Sequence, residues 1–152
     1  MNNDSQLCFD MANAFYEIGR LANDYDAKAQ KATILFKSDA YYAFPAIVNL
    51  SFACELYLKA LLIQSGHSSI IRSHFLDKLF SMLPKSIQGK MEEEFATRCQ
   101  YPVTLQQTLE IHSKAFEKWR YAYEADKENI EAYPDNLQLA AEIAGRAYEK
   151  TN

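Results

Sequence analysis

The chain has 152 residues, 49% of them hydrophobic and 24% charged, with a formal net charge of −4. That is the length of one domain, 1–152, with a sizeable core, and its charge content argues against disorder. Only 4 Gly and 4 Pro are present, too few for a sandwich or barrel of short strands, and a mildly acidic chain has no global field to draw in nucleic acid non-specifically.

The first helix is expected to start near Asp4 or Ser5, either of which can cap it. Leu7, Met11, Phe15, Ile18 and Leu21 recur at three and four residues and form its apolar stripe. The stripe fades over Asn23 to Asp26, and Ala27 to Phe36 reads as a weaker continuation. Ser38-Asp39 offers a cap for a second helix, with Pro45 tolerated only in its first turn or as a kink. From Phe44 to Ile63 the sequence is apolar nearly all round, the mark of a central helix, and Ser65-Gly66 ends it.

Ser73 is the expected cap of a short third helix, His74 to Leu83, stopped by Pro84. A fourth follows over Ser86 to Cys99, with Met91 and Phe95 as its apolar side and Gly89 as a soft spot. Thr104 to Gln107 is a capping box for a fifth helix, expected to run about five turns with Leu105, Leu109, His112, Phe116, Trp119 and Tyr123 on one face. Pro134 and a box-like Asp135 to Gln138 open the sixth, whose stripe is Leu137, Ala140, Ile143, Ala144 and Tyr148. The expected fold is therefore all-α, an up-and-down bundle of five to six helices.

Cys8, Cys54 and Cys99 are odd in number and widely spaced, without a C-x-x-C pair or finger-like histidines, so no zinc site is expected and Cys54 reads as a small core residue. The N-terminus lacks the basic start and apolar stretch of a signal peptide, which makes the cytosol the default location. Ala43 to Ile63 is long enough to raise the question of a membrane span, but Glu55 and Lys59 at its centre are costly in lipid and favour a buried bundle helix. No cofactor-binding loop, metal cluster or nucleophile elbow is present.

Two places carry polar chemistry. Ser51, Glu55 and Lys59, spaced by four, share one face of the apolar second helix: an ion pair on a solvated strip, a buried network anchoring another helix, or a ligand site. The run Phe116 to Glu124 puts Arg120 and Glu124 four apart, with Tyr121 pointing elsewhere. Arg120 could pair with Glu124 at the surface, reach Glu55 with its planar fork, or contact a phosphate. Among the histidines, His67 is expected to be exposed, His112 to be a satisfied core imidazole, and His74 to cap, to contact Glu55 or to act as an acid or base.

Ala53-Cys-Glu-Leu-Tyr-Leu-Lys-Ala-Leu-Leu62, a Gly-containing turn, and Ser73-His-Phe-Leu-Asp-Lys-Leu-Phe80 resemble the front half of HEPN domains, the higher-eukaryote and prokaryote nucleotide-binding superfamily. The later Phe-x-x-Trp-Arg-Tyr-x-Tyr-Glu resembles the back half of one branch, so the resemblance runs from Ala43 to Glu124. It implies a small helical bundle, usually a homodimer, in toxin–antitoxin, abortive-infection or CRISPR-linked defence. Members act as ribonucleases, as nucleotide binders beside a nucleotidyltransferase, or as inactive RNA-binding and scaffold domains.

The ribonuclease members carry R-x(4–6)-H on a late helix. Here no Arg is followed by a His at that spacing, and no His occurs after Arg120. Metal-independent RNA cleavage needs a group that exchanges protons near neutral pH. The leading expectation is therefore a dimeric binding or regulatory module, related to RNA or a nucleotide, with Glu55, Lys59, His74, Arg120, Tyr121 and Glu124 at its polar centre. One alternative is a ribonuclease using Arg120 with His74 or Glu124, paired with an antitoxin-like protein. The other is a nucleotide-binding partner of a separate nucleotidyltransferase.

Overall fold

In the computed structural model, residues 3–32, 43–113 and 132–151 are described. They form an all-α bundle of six helices with no strand among them: α1 (Asn3–Ala32), α2 (Ala43–Gln64), α3 (Leu76–Met82), α4 (Lys85–Arg98), α5 (Leu105–Ile111) and α6 (Pro134–Thr151). The proposed Ser38-Asp39 cap and the whole run Phe116 to Glu124 lie outside the described residues.

α2 is the central helix, as its all-round apolarity requires: fourteen of its 22 residues are buried. Pro45 sits in its first turn, where a missing N–H costs nothing. Gly66 follows its end at φ 95°, a left-handed conformation that glycine adopts freely, while the Gly66 and His67 N–H groups bond back to the Ile63 and Leu62 carbonyls. Among the described residues α2 alone is long and apolar enough to cross a membrane, and it is spent inside the bundle instead.

α1 runs antiparallel to α2: Gly19 meets Leu50, Phe15 meets Phe52 edge-on, and Asn13 accepts a hydrogen bond from the Tyr57 hydroxyl at 2.6 Å. The Gly19 site leaves no room for a Cβ, which would stand 2.7 Å from the Leu50 side chain. α6 completes the three-helix centre, parallel to α2. Gly145 lies against the Tyr57 ring, Tyr148 reaches the Ser5 hydroxyl and stacks on Phe9, and Asn23 donates to both Asp135 and Gln138. The stripe expected on α6 is buried in full. Asp135 and Gln138, read as a local box, instead tie α6 to α1.

The buried face of α1 is not the expected one. Leu7, Met11, Ile18 and Leu21 are 60%, 42%, 54% and 58% exposed, and only Phe15 of that stripe packs against the core. The face turned to α2 and α6 carries Phe9 together with Ser5, Ala12, Tyr16, Gly19 and Asn23, and all but Phe9 are small or polar-tipped residues that a hydrophobicity count passes over. Close approach explains the choice, since Ala12 and Gly19 let the α1 and α2 backbones come together.

The short helices also depart in detail from expectation. α3 begins at Leu76 after Phe75, with no side-chain cap; Ser73 accepts the Phe75 N–H from outside the helix. Pro84 does not merely stop α3 but is the N-cap residue of α4. α5 opens with both bonds of the Thr104–Gln107 capping box, yet it closes at Ile111 and turns through His112 and Ser113, short of the five turns expected.

Candidate functional site

The polar centre forms on α2 and the loop before α3. Glu55 is buried on the central helix, with 5% of its side chain exposed. Its Oε1 accepts from Lys59 Nζ at 2.8 Å, one turn along, and from His74 Nδ1 at 2.9 Å. The loop after Gly66 brings His74 back across α2, and the burial of Leu76, Leu79 and Phe80 fixes α3 against the core. Lys59 forms the ion pair with Glu55 that their spacing allows, but not on a solvated strip. Only 14% of its side chain is exposed, and the amine folds back onto the carboxylate that lies one turn away.

This arrangement sets the state of the imidazole. An ionised carboxylate can only accept, so His74 carries its proton on Nδ1, and Nε2 forms no hydrogen bond among the described residues. The His74 side chain is 65% exposed. A solvated imidazole thus stands on a carboxylate that is itself fixed by a nearly buried cation. Such a group can bind an anion when protonated or accept a proton when neutral. Ser51, the third residue of the sequence face, turns its hydroxyl to the Val48 carbonyl and takes no part.

Three of the residues singled out from sequence, Glu55, Lys59 and His74, therefore come together. Arg120, Tyr121 and Glu124 fall outside the described residues. Ser113, seven positions before Arg120, donates its hydroxyl to Asp77 on α3. His67 is exposed. His112 is a satisfied core imidazole: it is buried, Nδ1 bonds the Thr108 carbonyl at 2.8 Å, and Nε2 accepts the Tyr133 N–H at 3.0 Å. It pins the entrance of α6 to the exit of α5.

Two acidic residues of the Glu92-Glu93-Glu94 run act in ways that sequence reading missed. Glu92 accepts the Leu105 and Gln106 N–H groups, both at 2.9 Å, and so caps α5 from another helix. Glu94 gathers Lys150 at 3.0 Å, Arg146 at 3.4 Å and Arg98 at 3.5 Å, and Arg98 continues to Glu142 at 2.9 Å. The hydrogen bond from Lys150, with the two guanidinium groups behind it, holds the Glu94 carboxyl below its ordinary range against a smaller opposing effect of burial. Beside this network a groove of about 340 Å³ lies between α4 and α6, floored by Ile87, Met91, Ile143 and Ala147. It does not include the polar centre.

All three cysteines are free thiols. Burial pushes Cys54 up to about 12, an inert core thiol; Cys8 is raised less, burial being partly offset by the Lys59 charge. Among the described residues no three His, Cys, Asp or Glu side chains gather to hold a metal ion. Compared with family models, with curated proteins and with solved structures, the chain matches none.

Proposed function

We propose that this chain is a HEPN-like binding and regulatory module of a bacterial stress or phage-defence system, working in the cytosol, whose polar centre contacts the phosphate of RNA or a nucleotide. The observation that carries the reading is the solvated His74 held on the buried Glu55–Lys59 pair. With His74 protonated, two cations share one carboxylate and the centre has an excess positive charge facing water. Arg72, exposed in the same loop, adds to it. Arg120, Tyr121 and Glu124, carried by the resemblance, would complete the site.

The test is a titration of the purified protein with a labelled single-stranded RNA and with ATP at two salt concentrations. Binding should weaken with salt, and His74→Ala should reduce it at least tenfold while the circular dichroism spectrum stays unchanged. Absence of binding to either probe, or binding indifferent to His74→Ala, would remove the reading.

The geometry of His74 also favours a second reading, a metal-independent ribonuclease. Glu55 presents Nε2 as an acceptor, the form a general base needs to take a proton from a 2′-hydroxyl. Products ending in a 2′,3′-cyclic phosphate, lost in His74→Ala, would establish it.

A further inference from the structure

The exposed side of α1 follows a rule that its buried side does not. Leu7, Met11, Ala14, Ile18 and Leu21 are separated by four, three, four and three residues, a repeat of 3.5, and all five are exposed. A helix face that packs into a globular core broadens to a wider stripe, whereas a strict alternation of three and four is the narrow seam of a coiled coil. In heptad terms Met11 and Ile18 occupy a positions, and Leu7, Ala14 and Leu21 occupy d positions. The bundle grips α1 from the far side, through Ala12, Tyr16, Gly19 and Asn23, so the seam is rigid and already helical.

We propose that a second copy of this chain occupies the seam, with the two α1 helices pairing side by side in parallel. Three observations select that occupant. First, Ile18 at a with Leu7 and Leu21 at d fits a pair of helices rather than a larger assembly, with Met11 and Ala14 filling the remaining a and d places. Second, Asp10, Glu17 and Asp24 form an acidic row along one flank, at g, while the other flank, at e, carries Cys8, Phe15 and Ala22. In an antiparallel pair the two acidic rows would face each other; in a parallel pair each g residue meets an uncharged e residue of the other helix. Arg20 bridges Glu17 at 2.9 Å and Asp24 at 3.0 Å from within its own chain, so these carboxylates do not need a basic partner. Third, four large side chains about half exposed, with their flanks, would bury about 1,000 Å² over the two copies, the lower limit for a specific interface. The proposal does not depend on the functional reading above, since His74 and the seam lie on different elements.

Because the seam residues are exposed in the single chain, replacing them leaves the bundle intact and the test is clean. Light scattering at high micromolar concentration should give twice the chain mass. Ile18→Glu with Leu21→Glu should give the single-chain mass with an unchanged circular dichroism spectrum. Leu7→Cys in a Cys8→Ser background should form a covalent dimer under mild oxidation, because parallel d residues face their own copies. A wild-type protein of single-chain mass would overturn the proposal, whether another part of the chain or a different protein covers the seam. A dimer indifferent to Ile18→Glu and Leu21→Glu would overturn it too. Crosslinking only between Leu7→Cys and Tyr25→Cys chains would refute the parallel arrangement.

Discussion

Glu55 shows how little of a polar cluster depends on its most visible member. Its carboxylate is almost fully buried, so the energetic question is which cation compensates it. Lys59 is 14% exposed and His74 65%. A pair in the interior is costly to break from one side, because the remaining charge is left without a counter-ion, whereas an interaction open to water contributes about 1 kcal/mol or less. Lys59→Met keeps the stem and removes the charge, and should lower stability by about 3 kcal/mol. His74→Ala should cost under about 1 kcal/mol, and Glu55→Gln should restore part of the Lys59→Met loss. Urea unfolding of the four proteins measures this; equal small losses would place Lys59 in water. The sequence located the cluster, because a lone Glu-Lys pair on an apolar helix is conspicuous. It did not disclose the roles within it: a lysine stem can reach either water or its neighbour, and only the packing around α2 decides.

At the level of helices, legibility followed the kind of signal. Local chemistry transferred well: the capping box before α5, Pro45 in the first turn of α2 and the left-handed Gly66 after it depend on neighbouring residues alone. The stripe of α6 transferred because Leu, Ile and Tyr fill the core there. α1 misled because its larger apolar residues lie outward and its contact face is built from Ala12, Gly19 and polar-tipped side chains, where proximity rather than bulk is required. The capping of α5 by Glu92 and the clasp of His112 on Tyr133 join residues far apart in sequence, and spacing rules cannot see them.

Two glycines separate these influences experimentally. A Cβ at Gly89, inside α4, meets nothing within 4 Å, so Gly89→Ala should raise stability by about 0.5–1 kcal/mol through helix propensity and a less free unfolded chain. At Gly145, also helical, a Cβ would stand 3.1 Å from the Tyr57 ring. There the same substitution should destabilise by about 1–3 kcal/mol, because the Tyr57 ring, held by its hydroxyl on Asn13, must give way. Thermal unfolding of the two variants should move in opposite directions; a common sign would show that propensity outweighs packing at this interface.

For the molecule as a whole, α4 is joined to α6 both by buried apolar side chains, Met91 and Ile143 among them, and by charge. The apolar floor between them is an open groove, while Glu94, Glu142, Arg98, Arg146 and Lys150 bridge its side. Glu94 has a carboxyl held below its ordinary range chiefly by the Lys150 hydrogen bond, so folding favours its ionised form. A group whose pKa is lowered on folding stabilises the native state above its unfolded value, and that contribution disappears as pH falls through its folded value. The Glu94 contribution should therefore be constant from neutral pH down to the ordinary carboxylate range and be lost below it. Glu94→Gln should remove part of that acid slope and, above the carboxylate range, melt lower than the parent. Because the network is at the surface, high salt should weaken it and shrink the difference between the two proteins. Melting curves across pH, at low and high salt, decide this. If Glu94→Gln leaves the acid slope unchanged, the charges decorate the α4–α6 junction without holding it, and the buried side chains of Met91 and Ile143 alone keep the two helices together.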